Sequence, residues 1–312
     1  MEDPLKHYGS DDIDWSIGSL FCHERPLFKI LTLCKTYGIS SGIKWVFGSP
    51  LCIMGGGRVS PVDLNASDAI GIMEKWINQG IGCRLTFQNP YLSYDDCYQD
   101  KKGMDILKSA NEMSTKDVTN GVILASDILA DIVREKFPNL QVILSTIRTA
   151  FDVGYGPKKD TLEWYAEKLK DSLYDIVVVN AAKCWEDGFF EALPEKNKIE
   201  VIASHACVRN CPRAMRHYDA MIWGSLCRIF KIPGNGSLEQ CNRISEECIR
   251  YKRNHPFECS SLNEKQISHL VSIGIHHFKI AGRVDNDDDH LRDVLQYVFH
   301  PEKVRFMMNS ID

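Results

Sequence analysis

The chain has 312 residues, 44% of them apolar and 25% charged, with a formal charge of −5. This is the make-up of a globular chain long enough to bury a substantial core, and its acidic balance argues against the basic footprint of general nucleic-acid binding. No apolar run approaches the ~20 residues that span a bilayer, and the opening MEDPLKHYGSDDIDW lacks the basic and apolar regions of a signal peptide, so a cytoplasmic protein with no membrane partner is expected.

Short apolar runs, rich in β-branched or aromatic residues and bounded by Gly, Pro, Asn or Asp, alternate with helical patterns. Strands are expected at 15–21, 44–48, 82–87, 121–125, 141–145, 175–180, 199–204 and 276–280. Between the second and third, DLNASDAIGIMEKWINQG places Ile70, Met73, Ile77 and Ile81 on one stripe. Asp63 or Ser67 can cap that helix and Gly80 can end it. SDILADIVREKFPN, after the fourth strand, puts Ile128, Ile132 and Val133 on a face. TLEWYAEKLKDSLYD, before the sixth, does the same with Leu162, Tyr165, Leu169 and Leu173. Such alternation implies a parallel sheet with helical crossovers. Eight strands in this length predict a single (β/α)8 barrel over 1–312, with its chemistry at the strand C-termini. The runner-up, an open doubly wound sheet, lacks a GxGxxG after any strand. Residues 205–262 break the rhythm between strands seven and eight, and read as a long, irregular, cysteine-bearing insertion.

The cytosol keeps thiols reduced, so twelve cysteines need an explanation. Cys22, Cys34, Cys52, Cys83, Cys97 and Cys184 are scattered and read as small buried hydrophobes. Cys207, Cys211, Cys227, Cys241, Cys248 and Cys259 crowd into 53 positions. Cys207 follows strand seven, at the catalytic end of a barrel. Four thiolates from such a segment, Cys207, Cys211, Cys227 and Cys241, can hold a [4Fe–4S] cluster or a Zn2+ ion. The C-x3-C spacing and long unequal gaps are less typical of zinc, which favours C-x2-C knuckles. Arg209, Arg213, Arg216 and Arg228 would offset the negative charge of a thiolate-ligated cluster. The bland alternative is thiols in a surface loop beside a solvated basic face. His205 reads as a further ligand, an acid/base or a histidine simply hydrogen-bonded at a strand end.

Other residues invite chemistry. MGGGRVS (54–60) allows close backbone approach and offers Arg58 to a carboxylate or phosphate. GCRLTFQNP (82–90) carries Arg84 and Thr86 on one strand face and Asn89 at its end; Arg84 must find a counter-charge or a ligand. Arg148 opens a Gly-rich stretch that could cover the mouth, and VDNDDDH (284–290) reads as an acidic helix N-terminus. Lys279 lies between Phe278 and Ile280 and points to the opposite face, into the barrel. There an unpaired ammonium is costly, so a buried carboxylate or an anion must meet it, with Arg283 above. The chain has no G-x-S-x-G, H-E-x-x-H or Walker sequence.

LVSIGIHHFKIAGRV (270–284) resembles the helix-Gly-strand segment of the U32 peptidase family. That segment ends in Lys-Ile-Glu-Gly-Arg; Lys279, Ile280, Gly282 and Arg283 match, and Ala281 stands at the acidic position. The order Cys207, Cys211, Cys227, Cys241 parallels the family's cluster cysteines, with a shorter first gap that makes Cys248 and Cys259 substitutes. The resemblance covers the C-terminal third. It implies an iron–sulfur barrel enzyme of oxygen-independent hydroxylation, acting on a small aromatic or nucleobase-like substrate (a small molecule or an RNA base) and served by a protein partner or electron donor. Arg58, Asn89, Arg84, Lys279 and Arg283 would line its mouth. Peptidase chemistry ranks low, because no hydrolytic residue set is visible. The alternative from another class is a non-catalytic module stapled by zinc or a cluster.

Overall fold

The structure, a computed structural model, describes residues 13–37, 40–56, 63–153, 161–205, 207–209, 211–232, 236–282 and 286–299, without the side chains of 236–242, 245 and 256. Eight parallel strands close into a barrel in sequence order. They are β1 (Asp14–Ile17), β2 (Ile43–Gly48), β3 (Gly82–Phe87), β4 (Gly121–Leu124), β5 (Gln141–Leu144), β6 (Ile176–Val179), β7 (Ile199–Ile202) and β8 (His277–Ile280). The helices among the described residues are α1 (Glu24–Tyr37), α2 (Ala66–Ile77), α3 (Tyr94–Gln99), α4 (Lys101–Glu112), α5 (Asp127–Lys136), α6 (Thr146–Asp152), α7 (Leu162–Lys170), α8 (Phe189–Ala192), α9 (Ala214–Phe230), α10 (Gly236–Asn254), α11 (Glu264–Ser272) and α12 (Asp287–Val298). The (β/α)8 architecture expected from the alternation is the one present. No helix among the described residues is long and apolar enough to cross a membrane.

Strand alternation sorts the core into two shells. Val46, Leu85, Val122, Val142, Val177, Val201, Phe278 and Ile280 face outward onto the helices, in one continuous buried cluster. Ile123, Ile143, Ile176, Val178 and Ile202 face inward, with Phe47 and Ala281 against them. The seam closes where Trp15 pairs with Phe278 and Ile17 with Ile280. Just beyond it, Gly282 has φ +58°, and a Cβ there would stand 2.2 Å from the carbonyl oxygen of Gly18. Only glycine fits both the conformation and the approach.

Strand-end polar residues start the next helix. Ser126 and Ser145 cap α5 and α6, and Asn180 caps the short turn of helix after β6. Asn65, neither Asp63 nor Ser67, caps α2. Of the expected stripe, Met73 and Ile81 are buried while Ile70 and Ile77 are only partly so, and Ala69 and Trp76 take the remaining core positions. Trp76 decides the rotation, because it stacks on Phe28 of α1 at 4.1 Å and 7°.

The largest departure concerns 205–262. The segment is not irregular: α9 and α10, of 17 and 19 residues, form an antiparallel hairpin. Short connections and bulky apolar residues such as Tyr218, Ile222, Leu226 and Ile244 hold it by ordinary burial.

Candidate active site at the barrel mouth

Chain exit from β7 sets the site. Ser204 accepts a hydrogen bond from the Ala281 backbone N–H at 2.8 Å, and Leu262 N–H bonds the Ala203 carbonyl at 2.8 Å. The chain returning from α10 then zips against the chain leaving β7. Val208 pairs with Cys259 in an antiparallel bridge, Ser260 N–H bonds the Cys207 carbonyl at 2.9 Å, and Arg209 N–H bonds the Glu258 carbonyl at 2.7 Å. The Cys259 backbone is thereby held next to that of Cys207. The Cys259 thiol lies 3.3 Å from Ser261 Oγ.

Cys211 and Cys248 join them. Burial pushes the Cys211 thiol up, and Cys207 adds to the push while Arg213 opposes it. Burial pushes Cys248 up as well, followed by the charges of Cys211 and Cys207. Cys248 Sγ is also 3.6 Å from His217 Nδ1. These thiols disfavour one another's ionised form, a repulsion that a bound cation reverses. The donor set therefore suits a thiolate-held metal group. Among the described residues, no three His, Cys, Asp or Glu side chains already stand in metal-holding positions.

The other two cysteines of the expected set lie elsewhere. Cys227 is ten residues beyond His217 on α9, about 15 Å along the helix. Cys241 precedes Cys248 by seven residues in α10, about 10 Å along its axis, and its side chain is outside the described residues. Of the arginines, Arg213 stays by the thiols, bonding the Glu247 carbonyl at 3.1 Å. Arg209 lies over the Trp185 ring at 4.5 Å.

His205, between β7 and Cys207, is 5% exposed, and neither ring nitrogen meets a hydrogen-bond partner among the described residues. Buried imidazoles are nearly always satisfied, so this ring is a candidate donor or acceptor at the site. Lys183, after β6, is buried and paired with Glu186 at 2.8 Å.

Inside the barrel, Arg84 has found its counter-charge. Its Nη1 donates to Glu200 Oε1 at 2.5 Å and to Ser16 Oγ at 2.9 Å, and its Nη2 donates to Gln141 Oε1 at 2.8 Å. The guanidinium also lies 3.7 Å from the Trp45 ring centroid. Burial alone would raise the Glu200 carboxyl; Arg84, then Lys279 and His277, hold it below the usual range. Of the two roles open to Arg84, the barrel interior provides the structural one. Lys279 points inward as expected, 3.8 Å from the Phe47 ring centroid and within Glu200's field.

Asn89 is buried and spends its side chain on the Ile53 carbonyl, at 3.0 Å, and the Tyr91 N–H, at 3.0 Å. It staples the glycine turn to β3. Arg58 and Arg283 lie outside the described residues.

Sequence reading missed an aromatic group on this face. Tyr91, after β3, meets Phe151 of α6 edge-on at 5.4 Å and Trp223 of α9 at 6.2 Å, and its hydroxyl donates to Asp219 at 2.7 Å. Burial and Asp219 push the phenol up to about 12. Tyr91 and Trp223 are each half exposed. No sequence signal joins these residues, because three separate loops and helices supply them.

No protein-family model matches the chain, and no curated protein matches it. A U32 peptidase of known structure is similar at a TM-score of 0.40 and 13% identity, over 86% of this chain and 91% of that one. The match extends well beyond the C-terminal third. At that distance it is a likeness in the path of the chain and says nothing of activity.

Proposed function

We propose that the chain is an iron–sulfur barrel enzyme whose cluster is held at the β7 exit by Cys207, Cys211, Cys248 and Cys259. What supports the reading is that Cys207, Cys211 and Cys248 lie within one another's electrostatic field at the foot of the hairpin, with the Cys259 backbone paired to Val208 alongside; we take Cys248 and Cys259 as the substitutes for Cys227 and Cys241. When bound, such a group supplies one-electron chemistry. The substrate we assign is small and planar, aromatic or nucleobase-like. The half-exposed faces of Tyr91 and Trp223 give it a stacking surface, and the unsatisfied His205 imidazole gives it a hydrogen-bonding partner. Oxygen-independent hydroxylation, implied by the sequence resemblance, is the reaction class we infer.

Zinc is the second reading, favoured by one contact. His217 beside Cys248 would complete a Cys/His set of the zinc type. Anaerobic purification with iron, sulfide and zinc assays separates the two, since the iron protein is brown and the zinc protein colourless. The cluster reading expects about four irons per chain. C207S, C211S, C248S and C259S should strip the metal, and C227S and C34S should keep it. Full iron retention in C248S and C259S, with loss in C227S, would return the ligand set to the one expected from spacing. Zinc without iron would overturn the cluster.

A further inference from the structure

Over the ends of β1 and β8, a second constellation has no role in the reading above. His23 follows β1 and His290 lies in the first turns of α12; their ring centroids are 5.2 Å apart. His23 Nδ1 is 2.7 Å from Asp287 Oδ1, and His290 Nε2 is 2.5 Å from Ser19 Oγ. His290 is completely buried, yet its Nδ1 meets no partner among the described residues. His23 is held at φ +54°, a left-handed backbone that costs a residue with a Cβ. Half-buried Cys22 precedes it, within the field of Asp287.

The Asp287 carboxylate accepts from His23 Nδ1–H, which leaves His23 Nε2 with its lone pair; Ser19 Oγ holds His290 Nε2, and the tautomer with the proton there leaves Nδ1 with its lone pair. This is how proteins orient imidazoles for a metal, with a carboxylate or hydroxyl behind each ligand. Two imidazoles on one tetrahedral ion, at about 2.0–2.1 Å from it, place their centroids about 5 Å apart. The observed separation agrees.

We propose that His23 Nε2 and His290 Nδ1 form a divalent-metal site of the zinc class at the barrel mouth, with Cys22 as third donor. Because no three such groups are yet in metal-holding positions among the described residues, the imidazoles preform the site and the Cys22 side chain turns to the ion on binding. The proposal does not depend on the cysteines after β7.

The test is a Co2+ titration of the full-length C207S/C211S chain, its fold checked by circular dichroism. One equivalent with the visible bands of a four-coordinate ion is expected. H23A should abolish it, and D287N, at an exposed carboxylate, should weaken it about 10- to 100-fold. D287N carries the test should H23A not fold. C22S should bind Co2+ without the thiolate-to-cobalt band. Absence of binding in the parent, or D287N binding as tightly as the parent, overturns the site. An unchanged thiolate band in C22S removes Cys22 from it.

Discussion

Replacing Glu200 by Gln tests how the barrel interior is held. The Arg84–Glu200 pair is 2.5 Å long, with side-chain exposures of 0% and 1%. Arg84 also donates to Ser16 and Gln141, but neither carries charge. Glutamine fills Glu200's volume and leaves a buried guanidinium with no anion, near the Lys279 ammonium. Breaking a buried pair from one side costs about 3–5 kcal/mol. With a urea slope of about 3 kcal/mol/M, the unfolding midpoint should fall by about 1–1.7 M. The double variant R84M/E200L removes both charges and should recover much of that loss, because an apolar pair of similar volume is often neutral. The recovery is incomplete, since Gln141 and Ser16 then lose a donor at about 1 kcal/mol or more each. The pH dependence has a definite sign. Glu200's folded carboxyl lies below its unfolded value of about 4.3. Its contribution is therefore fully present above that value and is lost as pH falls through the lower, folded one. The gap between wild type and E200Q should be constant at neutral pH and close in acid. An E200Q midpoint within 0.2 M of wild type, taken as about 0.6 kcal/mol, would refute the reasoning. So would a double variant less stable than E200Q.

Lys279 lowers Glu200, so K279M should move the acid loss of stability to higher pH; urea midpoints between about pH 3 and 5 check it, and no shift refutes the coupling. Gly282→Ala places a Cβ 2.2 Å from the Gly18 carbonyl oxygen at φ +58°, and should cost at least about 2 kcal/mol by thermal melt. Trp76→Ala empties a fully buried site stacked on Phe28; a loss of about 3–5 kcal/mol in urea is expected. Tyr91→Phe cuts the bond to Asp219 on a half-exposed surface, so stability should change by under about 1 kcal/mol, while affinity for a planar aromatic probe falls with Trp223→Ala. Unchanged affinity in both variants would remove the stacking surface.

The barrel was legible because its strands are short and fully buried, so periodicity and their bounding Gly, Pro, Asn and Asp mark each one. Inward pointing of Lys279 followed from the same alternation. Helix rotation was less legible: the α2 stripe counted isoleucines, whereas Trp76, the largest side chain, took the core position by stacking on α1. The proposed cysteine set was only half legible. Cys207 and Cys211 follow a strand end and stay together for that local reason. Cys248 reaches them only because α9 and α10 run antiparallel, and Cys259 only because the return to β8 pairs with the exit from β7. Both are long-range facts, invisible to spacing. Reading 212–262 as irregular hid them, since a loop has no register while a helical hairpin puts residue 217 opposite 248 and sends 227 away.

The barrel's interior explains why the candidate chemistry sits at the rim. Arg84, Glu200, Ser16 and Gln141 fill one inner layer with a polar network that leaves only Arg84 Nε and Glu200 Oε2 without partners among the described residues, and Ile123, Ile143, Ile176, Val178 and Ile202 fill another. The first layer spends most of its polar atoms on itself and the second is apolar. A ligand is therefore met chiefly by what projects above the strands. Above β4 and β5, Ser126 and Ser145 are committed to helix caps, and Ile147 and Tyr218 pack over Ala125. What is left uncommitted at the mouth lies where the chain departs from the cap pattern. After β7 no helix starts at once, so His205 keeps an unsatisfied ring and the thiols gather beside it. After β1 the chain turns through a left-handed His23 against α12, and His290 keeps an unsatisfied nitrogen. The two candidate sites thus share one cause: at these two strand ends the barrel's usual capping is suspended, and buried imidazole is left in its place.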